Sequence, residues 1–187
     1  MALEIERRFL VRGDAWRAHI AWQAQLQQGY LSASAEGVTV RVRRNGSQSW
    51  LTIKARATAA QGSGASSTLG LDWVRQEFEY EIPVADAEQM LSLAPVQLSK
   101  RRYGLDLPGG DWVLDVFEDS NTPLVIAEVE LSSPDQPVVL PTWCVQEITG
   151  QGRFSNAALA ASPLASWSAD ARQQTLLRIQ SEAGMTR

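Results

Sequence analysis

The chain has 187 residues, of which 44% are hydrophobic and 20% are charged, a composition typical of a globular domain rather than of a disordered chain. Lys and Arg number 17 and Asp and Glu number 21, and the net charge of −4 argues against binding of bulk nucleic acid. The chain contains one Cys and one His, which excludes an intramolecular disulfide and a Cys- or His-rich metal site, so a metal would be held mainly by oxygen ligands. Charges at positions 4 to 8 and the lack of a long apolar segment predict a cytoplasmic protein without signal peptide or membrane contact.

Apolar and ionic residues alternate along most of the chain, which predicts antiparallel strands. In chain order, the predicted strands are residues 3–11, 38–43, 50–54, 75–82, 99–103, 112–118 and 124–131. Asn45-Gly46 predicts a hairpin turn, and residues 55–71 predict a loop because they are rich in small residues without an apolar period. Helices are predicted after the capping residue Asp14, over residues 85–93 and after the capping residue Ser168, covering the apolar face of the sheet.

The polar positions of these strands are almost all charged, and they fall on one face. The acids on this face are Glu4, Glu6, Glu77, Glu79, Glu81, Asp115, Glu128 and Glu130, and the bases are Arg8, Arg41, Arg43, Lys54, Arg75, Lys100 and Arg102. Two interpretations stay open: the solvated face of an open sheet, or the lumen of a closed barrel of about eight strands. Ions in a lumen need partners, and this near-balanced set suits a polyanion accompanied by a divalent cation.

The opening block Glu4-Ile5-Glu6-Arg7-Arg8 resembles the Glu-x-Glu-x-Lys signature of the CYTH domain, the fold of the triphosphate tunnel metalloenzymes. Further blocks follow in family order: Gln28-Gly29-Tyr30-Leu31, Arg41-Val42-Arg43, Leu51-Thr52-Ile53-Lys54, Arg75 to Pro83, Lys100-Arg101-Arg102-Tyr103, Leu114-Asp115-Val116-Phe117, Ala127 to Leu131 and Arg153-Phe154-Ser155-Asn156. The resemblance covers residues 1–161 and implies an α+β fold: an eight-stranded antiparallel barrel with helices packed on the outside. Residues 162–187 are then a C-terminal helical extension packed on the same domain.

The resemblance also implies an activity, the metal-dependent hydrolysis of inorganic triphosphate with Mg²⁺ or Mn²⁺. The metal carboxylates implied are Glu4, Glu6, Glu128 and Glu130. The implied phosphate-binding residues are Arg41, Arg43, Lys54, Lys100 and Arg102, and the supporting acids are Asp115, Glu77 and Glu79. Glu81 and Arg75 carry no assigned role, since Glu81 would extend its strand and Arg75 would pair with a neighbouring acid.

The sequence departs from the family pattern at two places. Arg8 stands where the signature has Lys, and the family Lys is thought to form a catalytic dyad with the residue matched by Tyr30. An arginine does not accept a proton in a protein, so we expect Arg8 to bind phosphate or lower the pKa of Tyr30, which leaves proton removal to Tyr30 or to the metal site. Gly150-Gln151-Gly152 stands where family members commonly carry an acidic residue.

Two alternatives remain open at this stage. The first keeps the site but changes the substrate to a nucleoside or thiamine triphosphate, or the reaction to that of an adenylate cyclase. The second is a polyphosphate-binding module without activity, because Arg8 replaces the Lys. Dimerisation is left open. Trp16 and Trp22 are predicted to pack in the core, whereas Trp50 and Trp73 are candidates for the rim of the substrate site.

Overall fold

The computed structural model describes residues 5–32, 38–56, 75–133 and 135–180. Within these ranges the chain forms nine strands and three α-helices. The strands are β1 (Glu6–Val11), β2 (Ile20–Ser32), β3 (Thr39–Asn45), β4 (Gln48–Arg56), β5 (Arg75–Glu81), β6 (Val96–Leu105), β7 (Asp111–Phe117), β8 (Val125–Glu130) and β9 (Cys144–Glu147). The helices are α1 (Val84–Leu93), α2 (Asn156–Ala161) and α3 (Ala169–Ile179).

The strands are hydrogen-bonded in the order β5-β4-β3-β2-β6-β7-β8-β1-β9. The predicted α+β class with a large antiparallel sheet is confirmed, but the strand count and the closure differ from the prediction. Among the described residues there are nine strands rather than eight, and the order has two ends, β5 and β9, instead of closing into a ring. The additional strand is β9, four residues long, which pairs with the edge of β1 opposite to β8. Its sequence, Cys144 to Glu147, is too short to carry a clear alternation.

Contacts divide the chain into two compact units. Unit 1 contains the described residues from 28 to 97, and unit 2 contains residues 5–27 and the described residues from 98 onward. In unit 1, β3 and β4 form the predicted hairpin, and Gly46 at its turn has a positive φ of 54°, which glycine adopts without steric penalty. Helix α1 packs on the apolar face of this hairpin, where Leu91 and Ala87 meet Val42. This helix was predicted, and it lies on the face opposite to the charged side chains.

Unit 2 has an apolar cluster on each side of its strands. The first cluster, which includes Phe9, Trp112 and Val129, holds the buried Trp16 and Trp143. The second, which we call the helix-covered cluster, contains Leu10, Leu98, Phe117, Leu124, Ile126, Ile148, Phe154, Leu159, Leu164 and Ile179. Side chains alternate between the faces of a strand, so Leu10 and Ile126 share their face with Arg8 and Glu128. The prediction that helices cover the apolar face is therefore wrong for α3, which covers one end of the ionic face together with α2, a helix that the sequence did not predict.

The structure also differs from the prediction in the segment after Asp14. A helix was predicted there, but the structure has a five-residue 3₁₀ helix, Ala15–His19, followed at once by the 13-residue strand β2. The apolar residues around Ile20 follow a period of two along β2 rather than a helical period. Trp16 is buried as predicted, whereas Trp22 is 50% exposed, and its indole lies where a side chain on Gly104 would be.

The C-terminal helix was predicted correctly. The Ser168 hydroxyl accepts a hydrogen bond from the Ala171 amide at the start of α3, which satisfies one free N–H of the first turn. The predicted loop over residues 55–71 lies largely outside the described residues, although Ala55 and Arg56 belong to β4. No helix in the described part of the chain is both long enough and apolar enough to cross a bilayer.

Candidate active site

Antiparallel registers in unit 2 place five charged side chains from β1, β6, β7 and β8 side by side. Arg8 pairs with Glu128 across β1 and β8, and Arg102 pairs with Asp115 across β6 and β7. Strand alternation then directs all of them to one face. We call Arg8, Lys100, Arg102, Asp115 and Glu128 the unit 2 ionic cluster.

Asp115 is the centre of this cluster and is fully buried. Arg102 donates to both of its oxygens, from Nε at 2.8 Å and from Nη2 at 2.7 Å, and Lys100 Nζ donates to Oδ2 at 2.5 Å. Burial alone would raise the pKa of Asp115, but the adjacent Arg102 and Lys100 charges outweigh it and hold that pKa well below its usual range. Asp115 is therefore a permanent carboxylate that fixes the position of two cations.

Glu128 joins two arginines. Its Oε1 accepts from Arg8 Nε at 2.9 Å, and its Oε2 accepts from Arg102 Nη2 at 2.9 Å. Burial and the nearby Asp115 oppose its ionisation, yet Arg102 and Arg8 keep the pKa of Glu128 below its usual value. The family resemblance implies metal binding for Glu128, and the structure shows both of its oxygens bound to guanidinium groups.

Lys100 is almost completely buried, with 1% of its surface exposed. Besides the ion pair with Asp115, its ammonium donates to Asn156 Oδ1 at 3.2 Å and lies 5.6 Å from the centre of the Phe117 ring. Burial lowers the pKa of Lys100 to about 8, and the charge of Arg102 acts in the same direction. The ammonium thus titrates far closer to neutrality than that of an exposed lysine.

Arg8 is held by residues beyond the sheet as well. Its Nη2 donates to the Phe154 carbonyl oxygen at 3.2 Å, and its backbone amide donates to Thr149 Oγ1 at 3.0 Å. The segment after β9 therefore positions the guanidinium of Arg8. The family resemblance includes Phe154 and Asn156 in one block and implies no role for them. Their contacts with Arg8 and Lys100 join positions more than 50 residues apart, so the sequence alone does not reveal them.

Three carboxylates form a row beside the unit 2 ionic cluster. Glu130 of β8 lies opposite Glu6 of β1 on one side and opposite Asp111 of β7 on the other. Carboxylates directly opposite one another on neighbouring strands repel, and hard divalent cations prefer such oxygen ligands. The chemistry of this row fits a divalent cation, although within the described ranges no three His, Cys, Asp or Glu side chains converge on one point. Asp111 was missed by the sequence analysis.

Unit 1 carries its own charged face. We call Arg41, Arg43, Lys54, Glu77 and Glu79 the unit 1 ionic cluster. Glu79 accepts from Arg43 Nη2 at 2.9 Å and from the Thr52 hydroxyl at 2.8 Å, and Lys54 Nζ lies 2.8 Å from Glu77 Oε2. Arg41 Nε is a buried donor with no acceptor among the described residues, and such an N–H is expected to meet a ligand or water.

The remaining predicted residues fall outside these clusters. Tyr30 is 3% exposed, and its hydroxyl accepts a hydrogen bond from Gln28 Nε2 at 3.2 Å within unit 1. Glu81 is exposed at the end of β5. Glu4, Trp73 and the side chain of Arg75 lie outside what the structure describes, so their predicted roles stay predictions.

Both ionic clusters contain three cations and two carboxylates. Counted on these five members alone, each cluster has one more cation than carboxylates, and Glu6 lies 3.9 Å from Arg8 Nε at the margin of the unit 2 ionic cluster. Arginine and lysine in such surroundings bind phosphate oxygens, arginine with two parallel hydrogen bonds. The carboxylate row next to the unit 2 ionic cluster adds the oxygen ligands for a cation that would accompany the phosphates.

Comparison with known proteins shows the family of this chain. Residues 2–158 match the CYTH domain family. A protein of Acetivibrio thermocellus named inorganic triphosphatase is 36% identical over 168 residues, which cover 87% of this chain and 96% of that protein. An inorganic triphosphatase of Nitrosomonas europaea is 33% identical, with 85% and 97% of the two chains covered.

The fold is also that of a solved relative. The crystal structure of an inorganic triphosphatase superposes with a TM-score of 0.61 at 32% identity, covering 87% of this chain and 97% of that one. The family match spans most of the chain, and these relatives are aligned over nearly their whole length. The chain belongs to the CYTH domain family.

Proposed function

We propose that this chain hydrolyses inorganic triphosphate with the help of a divalent cation. The observation that carries the proposal is the buried network in which Arg8, Lys100 and Arg102 share the carboxylates of Asp115 and Glu128. Phosphoryl transfer depends on positioning and charge stabilisation more than on covalent help from the protein. The names of the two curated relatives support inorganic triphosphate as the substrate.

The cations of the unit 2 ionic cluster bind the phosphate oxygens. Asp115 holds Arg102 in a bidentate contact, so the guanidinium is already oriented when substrate arrives, and no side-chain freedom is lost at that moment. Glu128 does the same for Arg8. Arg41, Arg43 and Lys54 of unit 1 are proposed to bind phosphate oxygens as well, and the buried N–H of Arg41 is a donor suited to them.

The carboxylate row is the proposed metal site. Glu6 and Glu130 would hold the cation, with Asp111 at the end of the row and Glu4 added by the family signature. A bound Mg²⁺ or Mn²⁺ neutralises charge on the phosphate oxygens and lowers the pKa of bound water. Glu128 keeps its family assignment as a proposed metal ligand, since each of its oxygens accepts one arginine N–H and has a second lone pair.

Proton removal from the attacking water is assigned to Tyr30 or to the metal site. Arg8 does not accept a proton at the pH of the reaction, so its contribution is to hold phosphate. Lys100 is a cation below pH 8 and binds phosphate in that form. The segment after β9 holds the side chains of Arg8 and Lys100 in place. The Phe154 carbonyl accepts from Arg8, and the Asn156 side-chain oxygen accepts from Lys100.

The test compares two neighbouring arginines on opposite faces of β6. Arg102→Gln removes the bidentate contact with Asp115, and we expect kcat/KM for phosphate release from inorganic triphosphate to fall by about 10²–10³. Arg101→Gln is the matched control, since Arg101 is half exposed and its nearest acid, Glu118, is 4.0 Å away. Arg102→Lys keeps the positive charge but loses the two parallel N–H donors of the guanidinium, and it should give an intermediate rate.

Substrate choice is tested in the same assay by supplying ATP and thiamine triphosphate with Mg²⁺ or Mn²⁺. Faster release from either organic triphosphate would replace the proposed substrate. No release from any of them, with inorganic triphosphate still raising the melting temperature, would instead identify a binding module. Equal rates in Arg102→Gln and Arg101→Gln, with both proteins folded by circular dichroism, would remove the unit 2 ionic cluster from the mechanism.

A further inference from the structure

A groove between β9 and α3 in unit 2 is lined mainly by polar side chains. Its volume is about 270 Å³. The polar lining consists of Gln146, Gln151, Arg153, Gln174, Thr175 and Arg178. None of the residues that line the groove is acidic, although the whole chain has more acids than bases. The groove is therefore a cationic site in an acidic protein.

Its two arginines are held in place by groups that leave their charge uncompensated. The guanidinium of Arg153 lies 4.0 Å from the centre of the Trp167 ring, a cation–π contact that fixes its plane. Arg178 donates to the side-chain oxygen of Gln146, and its backbone carbonyl accepts from Arg12 Nε at 3.1 Å. Within the described ranges, neither Arg153 nor Arg178 lies within ion-pair distance of a carboxylate.

Amide groups complete the donor set. Gln174 lies one helical turn before Arg178 on α3, so the two side chains share a face of the helix. The side chain of Gln174 forms no hydrogen bond with another residue that the structure describes. Gln151 also lines the groove, and its Nε2, which donates to the Glu147 carbonyl at 3.2 Å, has a second N–H. Two guanidinium groups and two amides offer N–H donors to one small space, an arrangement suited to an oxyanion.

We propose that this groove binds a small inorganic oxyanion, phosphate or diphosphate, independently of the two ionic clusters. The volume lies just below the ~300–1,000 Å³ common for small-molecule sites, which suits one or two phosphoryl groups. Phosphate and diphosphate are also the products of triphosphate hydrolysis. That last connection rests on the proposed function, whereas the binding itself does not.

The groove and the unit 2 ionic cluster meet at one residue. Phe154 lines the groove, and its carbonyl oxygen accepts the hydrogen bond from Arg8 Nη2. The other lining residues make no hydrogen bond or ion pair with the five members of the cluster. An anion in the groove therefore contacts different cations from an anion on the ionic face, and the two binding events are separable by mutation.

The experiment is an NMR titration of the full chain with inorganic phosphate and, separately, with diphosphate, without divalent metal. The Nε–Hε signals of Arg153 and Arg178 report on the groove directly and need no turnover. We expect both signals to shift saturably, and we expect Arg178→Gln to weaken the apparent affinity about tenfold. Arg172→Gln is the matched control, because Arg172 is exposed on α3 and does not line the groove.

Arg153→Lys is a second variant, which keeps the charge and loses the fork, and it too should weaken binding. A shift that does not saturate, or an equal shift with chloride at matched ionic strength, would overturn the proposal. An unchanged affinity in both Arg178→Gln and Arg153→Lys would overturn it as well. If Arg102→Gln loses triphosphatase activity but still binds phosphate in the groove, then anion binding in the groove does not depend on the catalytic function of the unit 2 ionic cluster.

Discussion

Lys100 is a buried lysine whose ionisation the fold opposes. Its pKa is lowered to about 8, below the value of 10.5 that it has in the unfolded chain. Between these values the unfolded state binds more protons than the folded state, so the free energy of unfolding rises with pH across this window. The full shift corresponds to a destabilisation of about 3 kcal/mol below pH 8, where Lys100 is charged in both states. This destabilisation is absent above the unfolded pKa, because Lys100 is then neutral in both states.

We therefore predict that the wild-type protein gains stability relative to Lys100→Met as the pH rises from about 8 to 10.5. Urea unfolding of both proteins at intervals across this range measures the difference. Arg101→Met on the exposed face of the same strand is the control and should follow the wild type. Parallel profiles for wild type and Lys100→Met would show that Lys100 titrates normally.

The contacts of Lys100 also show which features of the site could be predicted from the sequence. Alternation predicted that Lys100, Arg102 and Asp115 share one face, and the structure confirms it. It did not predict that Lys100 and Arg102 both bind Asp115, because the register between β6 and β7 is set by the hydrogen bonding of the folded sheet. Asn156, the fourth member of this contact set, comes from a helix that has no strong period in the sequence.

At the scale of elements, β2 shows why a glycine stands between Gln28 and Tyr30. A Cβ on Gly29 would lie 2.7 Å from Ala94 Cβ and 3.0 Å from Leu91 Cδ2. The end of α1 thus approaches the backbone of β2 so closely that a methyl group does not fit. The sequence pattern identified the Gln-Gly-Tyr block by resemblance, and the packing of α1 gives the physical reason for its glycine.

Gly29→Ala is expected to destabilise the protein by about 1–3 kcal/mol, since overpacking shifts α1 or β2. The matched control is Gly152→Ala, because a Cβ on Gly152 meets nothing within 4 Å, and an unstrained Gly→Ala change is neutral or slightly stabilising. Chemical denaturation of both variants measures the difference. Equal stability would mean that α1 moves away from β2 at little cost.

Helix placement was the main error at this scale. Sequence reasoning placed every helix on the apolar face, because amphipathic helices normally cover apolar surface. In unit 2 the ionic face itself carries apolar residues at one end, including Leu10 and Ile126, and α2 and α3 cover those. Within each strand, the sequence shows that this face changes from charged to apolar residues. Only the register of β1 against β8 brings Leu10 beside Ile126 and Arg8 beside Glu128, so that the change occurs at the same level of both strands.

At the scale of the whole chain, the described residues from 162 to 180 contribute side chains to the core of unit 2. Residues 162–187 were expected to be an extension packed on the domain. Leu164 and Ile179 from this segment lie in the helix-covered cluster with Leu10 and Phe117. The same cluster adjoins Phe154, whose carbonyl holds Arg8. We infer that the segment is required for the stability of unit 2 and for the position of Arg8.

Two leucines of this segment provide a matched test. Leu164 is 1% exposed and Leu177 is 65% exposed, so the same substitution removes buried surface at one position and exposed surface at the other. Leu164→Ala should lower the free energy of unfolding by about 2–5 kcal/mol, whereas Leu177→Ala should change it by about 0.5 kcal/mol or less. Because a looser cluster lets Phe154 shift, Leu164→Ala should also raise the KM for inorganic triphosphate. Similar unfolding free energies for the two variants would mean that residues 162–187 are a separable appendage and that the core of unit 2 ends with α2.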